Sequence, residues 1–362
     1  MTPDWLQRAA ALKVIRPIDH YFACFMQQLH GSPSTELLLA SCLVSYECSL
    51  GQAYIELAPL CNHPIFATPH HPGLPTVVAP ALNTWIKALT QSPVVGQPGD
   101  HTPLILDQHR LYLARYWAYE TRLTDAFKQR MAHTQTPQTE PLQHTLNTLF
   151  PHAEANPELN GQKTAAALAA RQHLMMIFAP PEMHQAILLG RLLATLIMLD
   201  TSEHTYRIEL AATTDTAALT HTLTQAKQAL SSVVSANVCA QLPASASTLQ
   251  HLLGGTYDAQ NPLHLDLLVI DAAAMLDVAL MARLTEALTP TTRLILLGDS
   301  TQLPAIRARH LFKDIGQADW TNQYSAAQTE YLQFFCPPYT NRTNKTGPTI
   351  QDNILLLRPI PG

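Results

Sequence analysis

The sequence predicts an α/β protein in which one parallel sheet, covered by helices on both faces, follows a mostly helical N-terminal domain. From about residue 141 onward, short apolar runs alternate with longer helical patterns, which is typical of a buried parallel sheet. The first part of the chain is mostly helical in pattern, and a polar, low-complexity stretch at 134–140 separates the two. We therefore predict an N-terminal domain at 1–130, a linker at 131–145, the sheet domain at 146–330 and an irregular tail at 331–362.

The N-terminal part contains helical patterns joined by a few short extended runs. We predict a turn at Arg16–Asp19 and a polar turn at 107–109 between two short strands. The predicted helices are 5–11, 22–29, 36–44 and 114–127, and the predicted extended runs are 53–57, 103–106 and 110–113.

In the second part, four apolar runs of five to seven residues are each followed by a helical pattern or a turn signal. The predicted strands are 174–178, 207–212, 265–271 and 293–298, and the predicted helices are 161–173, 185–199, 216–231 and 277–288. Ligands of such sheets bind at the carboxyl ends of the strands. The residues that follow each strand are therefore the candidates for function.

Composition excludes several classes of protein. The 362 residues are 47% hydrophobic and 14% charged, which is typical of a globular chain. The net charge of −5 argues against a free-standing nucleic-acid-binding surface, but it does not exclude a DNA-handling subunit whose partners supply the positive channel. The six cysteines form no C-x-x-C pair and we find no signal peptide, so we expect a cytoplasmic protein. The longest apolar run, 186–199, is interrupted by Gly190 and Arg191 and is too short to cross a membrane.

The first strand end lacks the features of a phosphate-binding loop. Such a loop needs glycines, a lysine for the phosphates and a hydroxyl for Mg²⁺. Here Pro180 and Pro181 remove backbone N–H donors, and Glu182 adds negative charge where phosphate would lie. Gln185 and Ala186 stand where the lysine and the hydroxyl are needed. An ordinary strand–helix connection is the better interpretation, and we do not expect ATP to bind well.

Two further strand ends carry acidic residues. Asp271 ends an apolar strand, as does the aspartate that helps to hold Mg²⁺ in ATPases, but alanines follow it where a glutamate would orient the attacking water. A helix N-cap or loop role for Asp271 is an equally good interpretation. Asp299 and Gln302 belong to a Gly-Asp-x-x-Gln-Leu segment. In helicases such a segment couples the γ-phosphate of ATP to the DNA track, and the alternative is a tight turn between strand and helix with a packing glycine and an N-cap aspartate.

Several short motifs, in order, resemble the RecD family, the alpha subunits of the RecBCD exodeoxyribonuclease V complex, which are superfamily 1 DNA helicases. The matching segments are 16–19, 102–106, 110–117, 149–151, 162–163, 246–249, 252–254, 261–266 and 298–303. The resemblance implies a RecA-like sheet domain of the P-loop NTPase type, with ATP and Mg²⁺ as the family's ligands. It also implies that Gln162 matches the adenine-recognising glutamine and that Gln302 matches the glutamine of the third helicase motif.

The departures from the family pattern lie at the catalytic positions. The family's G-G-P-G-T-G-K-T loop is replaced at 179–186, and its D-E-A-S becomes Asp271 followed by alanines. Its A-P-T-G-K-A-A segment, which helps to contact single-stranded DNA, loses the glycine and lysine at 212–218. The family continues into a second RecA-like domain beyond the length of this sequence. We therefore expect only vestigial site positions at Gln162, Gln185, Ala186, Asp271, Asp299 and Gln302, and no metal site beyond the vestigial Mg²⁺ position at Asp271.

Three functional hypotheses follow. The first is a degenerate, truncated RecD-like subunit without ATPase or helicase activity, which docks through its N-terminal domain on RecC-like and RecB-like partners and reaches DNA through that complex. The second is an active ATP-dependent 5′–3′ DNA helicase subunit. The third is a decaying gene product, because proline-rich residues from Pro337 onward are typical of an unselected chain end.

Overall fold

The computed structural model describes residues 4–66, 76–179, 185–202, 205–213, 216–255, 257–273, 276–299, 332, 335 and 354–356. The chain divides into two compact units, the first formed mainly by residues up to Arg122 and the second mainly by residues from Leu123 onward. The first is mostly helical and the second contains a parallel sheet with helices, so the predicted fold class is confirmed. Within the described residues, no helix is long and apolar enough to cross a membrane.

The first unit combines helices with two small sheets. Its helices are α1 (Asp4–Ala11), α2 (Pro17–His30), α3 (Thr35–Ser49), α4 (Leu82–Thr90) and the first part of α5 (Ala114–Ala132). Its strands are β1 (Tyr54–Glu56), β2 (Pro64–Ile65), β3 (Val77–Val78), β4 (Val95–Gly96), β5 (Leu104–Asp107) and β6 (Arg110–Leu113). One sheet has the order β1-β6-β5-β4, and β2 pairs with β3 in the other.

The predicted turn at Arg16–Asp19 is wrong, because these residues begin helix α2. Arg16 is the N-cap and Pro17 is the first helical residue, where the missing N–H of proline costs nothing. The carboxylate of Asp19 accepts a hydrogen bond from the backbone N–H of Arg16 at 2.9 Å, which closes a capping box. The motif therefore fixes the start of a helix rather than a connection.

Helix α3 is the centre of the first core. It is buried at every position from Leu37 to Ser45, so it is covered on all sides. Helix α2 packs along it, and the fully buried Trp85 of α4 donates a hydrogen bond from Nε1 to the carbonyl oxygen of Glu36 at 3.0 Å.

The second unit contains the parallel sheet and its flanking helices. Its described strands are β7 (Leu174–Ala179), β8 (Ile208–Ala212), β9 (Ser247–Thr248), β10 (Leu267–Asp271), β11 (Arg293–Asp299) and β12 (Ile354–Leu356). Its helices are the last part of α5, then α6 (Thr139–Leu149), α7 (Pro157–Arg171), α8 (Gln185–Leu199), α9 (Thr216–Leu230), α10 (Ala236–Gln241), α11 (Leu249–Leu252) and α12 (Val278–Ala287).

All described pairings in this sheet are parallel, in the order β12-β7-β11-β10-β8-β9. Alternate residues of β10 point to opposite faces, and both Val269 and Ile270 are buried. Helices α6 to α9 supply most of the core on the face of Val269. Burial on both faces explains why these strands read as unbroken apolar runs.

The predicted strands and helices of the second unit agree with the structure to within a few residues. Helix α8 has the predicted bounds, whereas α7 begins four residues earlier than predicted because Asn156 caps it and Pro157 opens it. The patterns did not predict α6 or β9. Strand β12 lies in the segment predicted to be irregular, where Ile354–Leu356 pairs with β7.

Candidate nucleotide site at the carboxyl edge of the sheet

The sheet brings the predicted strand ends to one edge. The last residue of β11, Asp299, pairs with Ala179 at the end of β7, and Asp271 at the end of β10 pairs with Ala212 at the end of β8. Parallel pairing places all four carboxyl ends on the same side of the sheet. The residues predicted from these positions therefore share the edge at which nucleotides bind in related architectures.

The connection between β7 and α8 occupies the place of a phosphate-binding loop. Strand β7 ends at Ala179 and α8 begins at Gln185, and residues 180–184 between them lie outside the described part of the chain. The backbone of Gln185 is described, and Ala186 is half-buried. The methyl group of Ala186 has no oxygen to offer a metal ion.

Asp271 is the described carboxylate at the end of β10. Its Oδ1 accepts a hydrogen bond from the backbone N–H of Ala272 at 2.9 Å. Burial raises the pKa of Asp271 above its ordinary value, and this hydrogen bond opposes the rise in part. No salt bridge to Asp271 occurs among the described residues.

The residue after Asp271 is held in an unusual backbone conformation. Ala272 has φ of +52°, in the left-handed region, which costs an alanine about 1 kcal/mol. The backbone hydrogen bond to Asp271 helps to hold this turn. The side chains at Ala272 and the buried Ala273 are methyl groups, so neither offers an oxygen to Mg²⁺ or to a water molecule. No group of three or more metal-ligating side chains occurs in the described residues.

The glycine of the Gly-Asp segment is required by packing. Gly298 pairs with Phe178 on β7, and a Cβ atom at Gly298 would lie 2.7 Å from the Phe178 ring. Such a separation is shorter than real Cβ contacts allow, so a side chain there would displace the ring. This close approach supports a packing role for Gly298, whereas the predicted turn lies outside the described residues. The backbone of Asp299 ends β11, and Gln302 lies outside the described residues.

Gln162 lies buried on α7 and contacts α8. Its Oε1 accepts a hydrogen bond from Nη1 of Arg191 at 3.2 Å. The guanidinium of Arg191 also lies over the ring of Phe150, 5.3 Å from its centroid, and burial lowers the pKa of Arg191. Sequence reasoning treated Arg191 only as an interruption of an apolar run. A single charge within such a helix was the available signal that it has a specific partner.

The segment that would contact single-stranded DNA is described only at its ends. Ala212 ends β8 and Thr216 begins α9, while residues 214–215 lie outside the described part.

Comparison with known proteins finds similarity to RecD subunits. A model of the N-terminal domain of the RecBCD enzyme subunit RecD matches residues 11–112, and an AAA domain matches residues 192–326. RecBCD enzyme subunit RecD of Haemophilus influenzae is 28% identical over 361 residues, covering 90% of this chain and 55% of the relative. The RecD subunit of Buchnera aphidicola from Acyrthosiphon pisum is 27% identical over 321 residues, covering 86% of this chain and 51% of the relative. That of Mycobacterium tuberculosis is 31% identical over 242 residues, covering 64% of this chain and 40% of the relative.

The chain is similar to RecD subunits over most of its length. It spans about half the length of the curated RecD relatives it matches. The RecD N-terminal match includes the Arg16–Asp19 helix start, and the AAA match begins at residue 192, inside α8 and after residues 179–186. The parallel sheet of the second unit is consistent with the RecA-like fold that the resemblance implies.

Proposed function

We propose that this chain is a RecD-like subunit of a RecBCD-type complex for DNA double-strand-break repair and recombination, and that it contributes structure or regulation rather than ATP hydrolysis. One observation carries the proposal: the strand ends lie in register at one edge of the sheet, but alanines occupy two positions at which an oxygen-bearing side chain is needed for catalysis. Asp271 ends β10 in the expected register, whereas Ala272 and Ala186 stand where the family has a glutamate and a hydroxyl residue.

The loss of these groups has a large expected effect on catalysis. ATP hydrolysis depends on charged and polar groups positioned around the γ-phosphate and Mg²⁺, and removing one such group typically costs about 100-fold or more in rate. A methyl group at Ala272 cannot orient or deprotonate water. One oxygen of Asp271 is already bonded to the Ala272 backbone, which suits a structural role for this carboxylate.

The N-terminal unit offers a surface suited to protein docking. Ile18, Tyr21, Phe25 and Leu29 of α2 are 63%, 69%, 53% and 47% exposed and follow one another at helical spacing. We call these four residues the α2 stripe. Asp19, Ala23 and Met26 are the buried residues of α2 and face the core. The α2 stripe therefore does not contribute to the core of the first unit and remains accessible.

We propose that the α2 stripe contacts the RecC-like subunit and that DNA is reached through the assembled complex. An exposed, uncharged apolar row of this length on one helix is typical of a protein–protein contact. The net charge of −5 accords with a chain that relies on its partners for the positive DNA channel.

The docking proposal is tested by co-purification with the RecB-like and RecC-like proteins of the same organism. We expect the wild-type chain to co-purify with these two proteins, and a double variant Tyr21→Ser and Phe25→Ser to fail to co-purify. Leu50→Ser is the matched control, because Leu50 is 58% exposed in the same unit but lies outside the stripe. Retention of the double variant at the level of the control would refute docking through this helix.

The catalytic proposal is tested separately by titrating ATP against the purified chain, with and without DNA. We expect no binding at millimolar ATP and no DNA-stimulated hydrolysis. The retained carboxylate of Asp271 favours the active helicase subunit as the second candidate. DNA-stimulated hydrolysis that Asp271→Ala abolishes would establish that candidate instead.

A further inference from the structure

Residues 133–135, which follow α5, lie against the segment that leads into β7, and we call them the strap. Thr134 forms an antiparallel bridge with Gln172. The backbone N–H of Gln135 donates a hydrogen bond to the carbonyl oxygen of Arg171 at 2.9 Å. Since these partners lie between α7 and β7, the strap lies at the amino end of β7.

Two buried side chains hold the strap from the interior. Nδ1 of His173 donates a hydrogen bond to the carbonyl oxygen of His133 at 2.8 Å. Nη2 of Arg293 donates to Oε1 of Gln135 at 3.1 Å, and its Nη1 donates to two carbonyl oxygens at the end of α7. One guanidinium therefore joins the strap to α7 and to β11.

The outer side of the strap is exposed to solvent. All three of its residues are exposed, and none has an apolar side chain. Opening the strap therefore breaks a few hydrogen bonds without uncovering the hydrophobic core, which is typical of segments that open locally. Gln135 also lines a cavity of about 620 Å³ together with His173 and Arg293, so an open strap admits water to both buried side chains.

The charges nearest to His173 are positive. Burial lowers the pKa of His173 to about 4, and Arg293, Arg130 and His133 act on it in the same direction. The hydrogen bond to the backbone of His133 opposes this change but does not cancel it. A proton on this ring is therefore unfavourable while the strap is closed.

The two carboxylates that line the same cavity are bonded to other groups. Asp200 accepts hydrogen bonds from the backbone N–H of Ser202 at 3.1 Å and from its Oγ at 2.6 Å, and Asp266 accepts one from the backbone N–H of Arg207 at 2.8 Å. No ion pair between His173 and either carboxylate occurs in the described part of the chain.

We propose that the strap is a pH-sensitive switch, which is closed while His173 is neutral and opens when His173 is protonated. A proton on Nε2 places a second positive charge beside the buried guanidinium of Arg293. Opening admits water, which solvates both charges. The hydrogen bond from Nδ1 can form in either protonation state, so repulsion and desolvation drive the opening rather than the loss of that bond. This switch is independent of nucleotide binding and of docking through α2.

The direction of the pH dependence follows from the lowered pKa. In the open strap a solvated histidine has a pKa of about 6.5, whereas the pKa of His173 in the closed strap is about 4. The closed strap is therefore fully stable above about pH 6.5 and loses stability as pH falls toward 4. Between pH 7 and pH 5 these two values correspond to a rise of about 20-fold in the opening constant.

Hydrogen exchange at the Gln135 amide of the purified chain tests the proposal, because the hydrogen bond to Arg171 protects this amide only in the closed strap. After correction for the intrinsic exchange rate at each pH, we expect exchange to rise about 20-fold from pH 7 to pH 5. The amide of Val269 in the core strand β10 is the internal reference and should remain far better protected at both pH values. Equal protection of the two amides would show global unfolding instead of strap opening.

Three histidine variants assign the titrating group. His173→Asn should abolish the rise, because asparagine can still donate to the His133 carbonyl oxygen but does not titrate. His133→Asn should keep the rise, since only the backbone of His133 accepts the hydrogen bond. His144→Asn, at an exposed position of α6, should behave like the wild type.

Gln135→Ala tests the second contact without changing the titrating group. Loss of the hydrogen bond from Arg293 should raise exchange about 10-fold at both pH values and leave their ratio unchanged. Gln143→Ala, at an exposed position of α6, is the matched control and should have no effect. The proposal is overturned by a wild-type strap without the rise, by a rise that persists in His173→Asn or disappears in His133→Asn, or by unchanged exchange in Gln135→Ala.

Discussion

The carboxylate of Asp19 is fully buried at the start of α2 and accepts four hydrogen bonds. Three come from Arg16, through its backbone N–H, Nε and Nη2, and the fourth comes from Oγ of Ser45 at 2.6 Å. Arg16 also donates to the carbonyl oxygen of Ser45, so the motif joins α2 to α3. Burial alone would raise the pKa of Asp19, but the hydrogen bonds from Arg16 and Ser45 outweigh it and lower the pKa.

Asp19→Asn should therefore destabilise the first unit by about 2 kcal/mol, because an amide cannot accept all four hydrogen bonds. Chemical denaturation at neutral pH measures this difference. Because the folded pKa of Asp19 is lowered, its contribution is complete above the unfolded pKa and is lost as pH falls through the folded pKa. Asp4→Asn is the control, since its ion pair with Arg8 has side chains 65% and 55% exposed and should matter little. Equal effects of the two substitutions would contradict the prediction.

The buried His173 leads us to expect a second loss of folding stability at acid pH. Burial lowers its pKa to about 4, with Arg293 acting in the same direction and the hydrogen bond to His133 opposing. In the unfolded chain a histidine has a pKa of about 6.5. Both states are neutral above that value, so stability is complete there and falls as pH drops from about 6.5 to about 4, by up to about 3 kcal/mol.

His173→Asn should flatten this part of the stability profile, because asparagine can still donate to the His133 carbonyl oxygen but does not titrate. The measurement is the free energy of unfolding of the second unit at several pH values between 4 and 7. His144→Asn is the control, because His144 is an exposed histidine on α6. A wild-type slope that persists in His173→Asn would assign the effect to another group.

Residue roles were harder to predict than residue positions. The register confirms that Asp271 and Asp299 end neighbouring parallel strands, because apolar runs that end in a polar residue mark strand ends locally. The partners of Gln162 could not be predicted, since Arg191 is 29 residues away in the chain and meets it only after α7 and α8 pack. The burial of Asp19 escaped prediction for the same reason: its partner Ser45 belongs to another helix.

At the scale of elements, Gly190 permits the close packing of α8 against α9. A Cβ atom at Gly190 would lie 2.9 Å from Cβ of Ala226 and 3.1 Å from Cδ1 of Leu230. Gly190→Val should destabilise the second unit by about 2 kcal/mol, since overpacking outweighs any gain in helix propensity over glycine. Thermal or chemical unfolding of the variant measures this cost.

The control for Gly190→Val is Ala217→Val, which places the same β-branched side chain on an exposed position of α9. We expect Ala217→Val to show only the small propensity loss of valine in a helix. If both variants were equally stable, the helices would have room to separate and the packing argument would fail.

Elements were predictable where local signals agree. The bounds of α8 and the strands of the second unit follow from apolar runs between polar residues, and the hairpin of β5 and β6 follows from its polar turn. The two-residue strand β9 could not be predicted, because it exists only through pairing with β8. Helix α6 was taken for part of a polar linker, although Leu142, Leu146 and Leu149 recur at helical spacing and are buried.

At the scale of the whole molecule, the two units have separate hydrophobic cores. Ile55 and Trp85 belong to the first, and Leu193 and Val269 belong to the second. Asp19 and Gly190 share no hydrogen-bond or packing partner among the described contacts, so substitutions there act on different cores.

The double variant Asp19→Asn with Gly190→Val should therefore lose the sum of the two single destabilisations, to within about 0.5 kcal/mol. If unfolding proceeds in two transitions, Asp19→Asn should lower the transition of the first unit and Gly190→Val that of the second. In a Trp320→Phe background, tryptophan fluorescence reports the first unit, because the remaining Trp5, Trp85 and Trp117 all precede residue 123 and Trp85 is buried in its core. Far-ultraviolet circular dichroism reports both units. A coupling energy well above 0.5 kcal/mol, or a shift of the Trp85 signal by Gly190→Val, would show that the two cores unfold as one.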